Sequence, residues 1–357
     1  MHAKSSIAVL WTFKISKYFG VSGLYNSKQS IIAGTVLQII TVISTISWVI
    51  WSNSVKQTSM NTITFSVTHI VTTYSAGAIT YYGWGLTPKI EQVVIILDRL
   101  RSEPEKRSSD VILQSITWAA FFSLIVLDVV FVDSYLDHFE NFVYYLPLVQ
   151  ILMVSNQFMT LVKQAELRLH ALMKTSHRLK VSNAELVKNY ITLYTVCKLI
   201  NDCYSYQNFI ILIQHMLGTT FGLSYFSQAA LKMFPATIAR KKLLLNSMST
   251  VVFMGFIFLK FKFCQSIQLK AKEFKETLLD RLSSRAEGWS SHLEFNHKDI
   301  KFSAFNVYPF DYETLSSIVN MLMTYQIVLL QFALGRQRTR EVQKRNNLTS
   351  PVRTDVF

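Results

Sequence analysis

Long stretches without aspartate, glutamate, lysine or arginine recur along this chain of 357 residues. Each approaches or exceeds the roughly 20 residues that a helix needs to cross about 30 Å of hydrocarbon. The ten-residue alternation of apolar and polar positions that builds a membrane barrel is missing from these stretches, so helices are the predicted element. We predict seven transmembrane helices, which occupy residues 31–51, 61–84, 111–132, 141–163, 208–231, 243–263 and 312–335.

The composition indicates that lipid is the solvent of these helices. Half of the residues are apolar and only 16% are charged, and the mean hydropathy is positive. Such a balance is abnormal for a soluble globular chain of this length. We therefore predict an all-α, polytopic membrane protein with seven transmembrane helices and long cytosolic helical extensions, with membrane lipid as one partner.

The connections between the predicted helices differ strongly in length. Those at residues 52–60 and 133–140 are short, so no extracellular domain is expected to capture a protein, and a small molecule is the natural stimulus. The helical pattern at residues 165–174 extends the fourth span into the cytosol, and that at residues 269–285 predicts another, amphipathic helix on the cytosolic side. The predicted order is a cytosolic N-terminal segment, a six-helix bundle, a cytosolic helical anchor, the seventh transmembrane helix and a basic tail, at residues 1–30, 31–264, 265–311, 312–335 and 336–357.

The distribution of lysine and arginine favours a cytosolic N-terminus by number but not by density. With that orientation, 25 of the 36 basic residues lie on the cytosolic side, as the positive-inside rule requires. The inner segments are much longer than the outer ones, however, and the tail is itself basic.

The net charge of +14 is interpreted as charge that flanks the membrane, because no basic segment is interleaved with aromatic residues as in a nucleic-acid groove. No cleavable signal precedes the first span, which is expected to act as its own insertion signal.

The last apolar run carries polar and aromatic residues at a fixed spacing of seven. Thr324 and Gln331 fall on one face of a helix, and Tyr325 and Phe332 repeat the interval one position further along. A polar stripe beside an aromatic stripe on a membrane-spanning helix indicates that this helix does more than face lipid.

This ending resembles the signature of insect gustatory receptors, in which Thr-Tyr, five mostly apolar residues and then Gln-Phe close the seventh span. Residues 278–281, 293–295 and 302–305, followed by Leu315, look like that family's cytosolic approach to its last span. Residues 194–206 are more weakly similar. Strong similarity covers roughly the last quarter of the chain, and the rest agrees in the number and spacing of spans.

The resemblance implies a tetrameric, tastant-gated, poorly selective cation channel. Each subunit would have its N-terminus inside and its C-terminus outside the plasma membrane of gustatory sensory neurons, alone or mixed with other gustatory receptor subunits. Four copies of Gln331 would offer amide dipoles to passing cations, and Phe332 would form an apolar constriction, with Thr324 and Tyr325 as further pore or gate residues. The alternative is that Gln331 hydrogen-bonds a neighbouring helix and Phe332 faces lipid.

Candidate residues for the tastant pocket come from the second span and from side chains at similar depth. The second span is rich in hydroxyl groups, so one side of it is expected to face protein or water. Aromatic side chains with a few polar groups suit small plant metabolites or sugars as ligands. The chain is short for the sugar and carbon-dioxide branches of the family that it resembles, and this length favours a bitter-type or orphan receptor. In the alternative reading the hydroxyls bond their own backbone, Asp128 stops its helix, and His69 and His215 are satisfied packing residues. The candidates are His69, Thr72, Asp128, Tyr144, Tyr145, Tyr225 and Gln228.

Other functions of a seven-helix chain fit the sequence less well. A G-protein-coupled receptor ends its third span with an acidic-Arg-aromatic triplet, whereas Asp98-Arg99 precedes that span here. A secondary transporter is expected to show repeated halves and matching Gly or Pro breaks. Motifs for metal, nucleophilic or phosphate chemistry are missing, so no enzyme activity, metal or cofactor is expected. The three cysteines are expected to be unpaired, buried apolar residues.

The C-terminal tail departs from the gustatory pattern. After Phe332 the chain continues for 25 residues, many of them basic, and a basic tail outside the cell conflicts with the charge rule. The expectation is either a disordered, harmless tail or a misassigned end of the chain. The sequon at residues 347–349 is accessible to glycosylation only if the tail is extracellular.

Overall fold

The computed structural model confirms the predicted all-α, polytopic fold. It describes residues 7–19, 21, 28–55, 60–100, 135–176, 182–230, 236–283 and 297–349, together with isolated helical positions between 115 and 126. Within these residues the helices are α1 (Ile7–Tyr18), α2 (Lys28–Val55), α3 (Met60–Arg99), α4 (Tyr135–Ser176), α5 (Asn183–Ala230), α6 (Ala236–Ser283) and α7 (Tyr312–Thr349). The strands β1 (Ser303–Ala304) and β2 (Tyr308–Pro309) precede α7.

Four segments of the described residues are long and apolar enough to cross a membrane. They overlap the first, fourth, sixth and seventh predicted spans, but Tyr145–Ser176 and Thr250–Leu282 continue past the predicted ends at residues 163 and 263. The second predicted span lies within α3, the fifth lies within α5 except for residue 231, and most of the third lies outside the described residues. The four segments are Gly34–Trp51, Tyr145–Ser176, Thr250–Leu282 and Tyr312–Phe332.

Helix α4 lies at the centre of the molecule, where both its apolar and its polar side chains are buried. Of its segment Tyr145–Ser176, 89% is buried, and it packs against α1, α2, α3, α5 and α6. Gln150 links three of these elements, since its amide donates to the carbonyl of Phe19 at 2.9 Å and its oxygen accepts from Gln38 at 2.7 Å. The N-terminal helices are thus tied to the central one by hydrogen bonds as well as by apolar contact.

A buried carboxylate joins α4 to α6. The Glu166 side chain is 3% exposed, and its oxygens accept hydrogen bonds from Lys163 at 2.6 Å and from Ser266 at 2.6 Å. Lys270 forms a further ion pair with it. A carboxylate with this many donors is paired well enough to tolerate burial.

The segment at residues 265–311 was expected to be a helical anchor, and the structure corrects this. The sixth predicted span and the first part of the anchor are one continuous helix, α6, which ends at Ser283. Residues 303–309 form an antiparallel hairpin instead, with Ser303 opposite Pro309 and Ala304 opposite Tyr308. A helix is excluded there because Phe305 and Asn306 take positive φ angles of 52° and 56° at the turn.

The hairpin is fastened to α5. The amide of Ser303 donates to Asn201 Oδ1 at 2.8 Å, and the amide of Phe305 donates to the carbonyl of Ser205 at 3.0 Å. Two phenylalanines that flank the strands, Phe302 and Phe310, are fully buried beside Phe158 of α4. This arrangement fixes the point from which α7 begins.

The expectation of a disordered tail is wrong for its first part. Helix α7 continues without interruption past the predicted end of the span at residue 335 and reaches Thr349. The sequon at residues 347–349 therefore lies at the end of a helix, and residues 350–357 lie outside the described part of the chain.

Candidate functional site: the exposed face of the last helix

Helix α7 begins at a capped N-terminus beside the hairpin. Asp311 Oδ1 accepts a hydrogen bond from the amide of Thr314 at 2.8 Å, which satisfies one of the free amides of the first turn. Gln268 of α6 donates to the carbonyl of Phe310 at 3.2 Å. The start of the helix is therefore held by both its own cap and α6.

Beyond this start, α7 touches the rest of the chain along one narrow face. Ile318 and Leu322 are buried at 4% and 3% exposure, and Gln326, one turn further on, is half-buried and bonds to α5. Only 11% of the segment Tyr312–Phe332 is buried, the lowest share among the four described spans. Most of the surface of this membrane-length helix is consequently open in the single subunit.

A polar stripe runs along the open side. Ser317, Asn320, Thr324 and Gln331 are all exposed, and at about 100° per residue they fall on the side of the helix away from Leu322. The hydroxyls of Ser317 and Thr324 donate to the carbonyls one turn before them, at 3.1 and 2.9 Å. Gln331 has no hydrogen bond to another described residue, so its amide is available to water, ions or another subunit.

The aromatic pair lies beside this stripe. Tyr325 is 55% exposed and Phe332 is 68% exposed, and at about 100° per residue they lie about 60–80° around the helix from Leu322, between the packing face and the polar stripe. All four pore or gate candidates are thus exposed in the single subunit, and their role in a pore stays a prediction. Sequence reasoning did not single out Ser317 and Asn320, although they lie seven and four residues before Thr324, which is a readable helical signal.

A polar stripe on an open membrane helix is expensive if it faces hydrocarbon. Asparagine and glutamine side chains in lipid need hydrogen-bond partners, which are water or other helices. The stripe extends over the length of the span, so a water-filled path between several copies of α7 would satisfy all of it at once. The arrangement is able to line an aqueous pore, with the neighbouring aromatic side chains available to narrow it.

The second group of predicted residues lies inside the bundle. His69 and Thr72 of α3 are buried at 1% and 0% exposure. The ring of His69 lies 4.4 Å from that of Trp48 in α2, centroid to centroid, and the hydroxyl of Thr72 accepts a short hydrogen bond from Gln214 of α5. The polar side of the second predicted span therefore faces protein, as its composition predicted.

Of the remaining pocket candidates, only the side chain of Tyr145 lies in the described part of the structure. Tyr145 is half-buried and contacts Phe121 with ring centroids 6.4 Å apart. Asp128 and the side chains of Tyr144, Tyr225 and Gln228 lie outside the described part of the structure. Their role in a pocket stays a prediction.

Sequence reasoning missed a buried polar stripe on α5. Its members recur at intervals of seven and four, a helical signal in the sequence. Gln214 donates to Thr72, and Lys260 donates to Asn208 Oδ1 at 3.0 Å. His215 was expected to be a satisfied packing residue, and its ring does pack on Phe253 and Phe256 with centroids 5.4 and 6.3 Å apart, but neither ring nitrogen has a hydrogen-bond partner among the described residues. The stripe comprises Gln207, Asn208, Gln214, His215 and Thr219, all of them buried.

Comparison with known proteins places these features in context. A family model described as 7tm chemosensory receptor matches residues 60–335. The fold is similar to the structures of the insect olfactory receptor OR5 from Machilis hrabei, without and with eugenol, at TM-scores of 0.66 and 0.65. Each match has 14% sequence identity and covers 91% of this chain and 97% of the other. No curated protein sequence matches the chain.

Proposed function

Because this chain belongs to the 7tm chemosensory receptor family of insects, a family of receptors rather than enzymes, we propose that it is a subunit of a tastant-gated cation channel. The proposal rests on one observation above all. Helix α7 presents a polar stripe of Ser317, Asn320, Thr324 and Gln331 on a span that is only 11% buried, while its packing face is narrow and mostly apolar. Such a helix is stable in a membrane when copies of it surround water.

Four subunits around one axis would bring four copies of this stripe together. Gln331 then contributes a ring of neutral amide dipoles, which lower the cost of partial dehydration for a cation without selecting strongly between cations. Phe332, two-thirds exposed in the single subunit, supplies an apolar ring one residue further along. A constriction of this kind closes by dewetting and opens when the rings turn away or separate.

The ending Thr-Tyr…Gln-Phe supports a gustatory rather than an olfactory stimulus. The two structural neighbours are olfactory receptors, and one of them is a complex with eugenol, which supports a small organic molecule as the ligand class. For this chain we propose a bitter-type or orphan tastant. His69 and Thr72 are the pocket residues that the described structure supports best, because they are buried at the junction of α2, α3 and α5.

The proposed assembly has the N-terminus of each subunit in the cytosol and the C-terminus outside the plasma membrane. The continuous helices α4 and α6, which extend far beyond a span's length, then form a cytosolic anchor together with the hairpin. Contacts between such anchors are suited to hold a homo-tetramer or a mixed tetramer together. The basic end of α7 then surrounds the outer mouth.

Purified protein in nanodiscs and planar bilayers tests this proposal. We expect tetrameric particles by mass photometry, and an inward cation current that appears with an active compound from a tastant panel. We expect Gln331→Ala to change single-channel conductance, and Phe332→Ala to raise the current without a ligand. Monomeric particles that bind a tastant and pass no current would refute the channel.

A further inference from the structure

Gln326 is a polar residue on the packing side of α7. It is the first of the five residues between the Thr-Tyr and Gln-Phe pairs, and the four that follow it, at 327–330, are all apolar. Its neighbours on the same face, Ile318 and Leu322, are buried apolar side chains. An amide at such a position is less favourable than an apolar side chain unless its hydrogen-bonding groups are used.

The amide is used to bind α5. Gln326 Nε2 donates to the backbone carbonyl of Leu223 at 2.9 Å. Burial along the segment Tyr312–Phe332 is otherwise small, so this interhelical hydrogen bond is one of the few contacts that fix the rotation of α7 against the bundle. Because the acceptor is a backbone oxygen, a change of side chain at position 223 does not remove this hydrogen bond.

Helix α5 also makes a hydrogen bond to α3, on the side of the candidate pocket. Its Gln214 binds Thr72, one of the candidate pocket residues, and Leu223 lies nine residues further along the same helix, roughly 13 Å at 1.5 Å per residue. A helix transmits a displacement over two or three turns with little loss because its own backbone bonds keep it rigid. The pocket side and the pore side of the molecule are therefore joined by hydrogen bonds to one rigid element.

We propose that Gln326 is a positioning residue for the gate, whose hydrogen bond to Leu223 holds α7 against α5 in the closed channel and breaks when α7 turns to open it. This inference rests on the channel function proposed above. Gln326 faces the bundle, whereas Gln331 lies on the open side of the helix. The contact therefore acts on the equilibrium between closed and open states and leaves the passage of ions through the open pore unchanged.

Gln326→Met tests the proposal, because methionine keeps the length of the side chain and removes the amide. We expect open probability without ligand to rise, and the half-activating concentration of tastant to fall, at unchanged single-channel conductance. The expected change in the opening equilibrium is roughly threefold for each subunit, the size typical of one hydrogen bond between membrane helices. If the four subunits open together, it reaches roughly 80-fold.

Two further variants make the outcome decisive. Gln326→Asn retains the amide but shortens the side chain, so we expect the same direction of change, and it replaces Gln326→Met if that variant fails to reach the membrane. Thr339→Val removes only an intrahelical bond from an exposed position of the same helix, a bond of 3.1 Å to the carbonyl of Gly335, and should leave gating as in the parent.

Each result bears on a distinct claim. A parent channel that opens with tastant, together with Gln326 variants of unchanged open probability and sensitivity, overturns the role of Gln326 and leaves the channel intact. Variants that open less readily overturn it too, because the bond would then belong to the open state. A changed single-channel conductance would place Gln326 in the pore and contradict the inference. A parent that binds tastant and never conducts removes the proposed function itself.

Discussion

Replacing Glu166 by glutamine should destabilise the contact between α4 and α6. The variant keeps the shape of the side chain but leaves Lys163 and Lys270 without their shared carboxylate. Breaking a buried ion pair from one side costs about 3–5 kcal/mol. Lys270 is 39% exposed and can regain water, which lowers the cost, whereas Lys163 is only 15% exposed. We therefore expect a loss of about 3 kcal/mol, toward the lower end of that range.

Thermal unfolding of the purified protein in detergent, followed by tryptophan fluorescence, measures this loss. A change of that size corresponds to a fall in Tm of about 4 °C for a chain of this length. Glu273→Gln, an exposed acid on the same helix α6, is the matched control and should unfold within about 1 °C of the parent. Equal unfolding temperatures for Glu166→Gln and Glu273→Gln would show that the buried cluster contributes nothing, and the reasoning would fail.

Three further outcomes are expected elsewhere in the molecule. Phe310→Ala should lower the free energy of unfolding by about 3–5 kcal/mol, because the ring is fully buried against Phe261 with centroids 5.1 Å apart. The same thermal unfolding experiment measures this loss, and an unchanged Tm would contradict this packing. Thr72→Val should raise the half-activating tastant concentration, since it removes the acceptor of Gln214, and an unchanged dose-response curve would exclude Thr72 from the pocket. Burial raises the pKa of the Cys203 thiol to about 11, and all three cysteines are buried. N-ethylmaleimide at pH 8 should therefore label the protein only after denaturation, and rapid labelling of the folded protein would contradict the burial.

The helical architecture was predictable because each span is a long apolar run, and such a run in lipid has few alternatives to a helix. The continuation of the fourth span was predictable too, since the helical pattern does not break at residue 163. The hairpin at residues 303–309 was not, because its strands have two residues each. Strands this short leave no readable alternation, and the turn depends on φ angles that its residue types do not announce.

The site was predictable in part for a similar reason. The seven-residue spacing of Thr324 and Gln331 placed them on one face of α7, but periodicity alone does not say which face packs on the bundle. That choice is made by Ile318 and Leu322, whose partners come from distant helices. The contact between Gln326 and Leu223 likewise joins residues separated by 103 positions, which no local pattern reveals.

Cysteine accessibility at Gln331 tests most directly whether the open face of α7 lines a pore. The native cysteines are buried, so a positively charged methanethiosulfonate reagent has little background reaction with the folded protein. We predict that the reagent, applied while tastant holds the channel open, blocks the current of Gln331→Cys rapidly and that of Leu322→Cys, on the buried face, slowly or never. A Gln331→Cys current that persists although mass spectrometry shows complete modification would contradict the account.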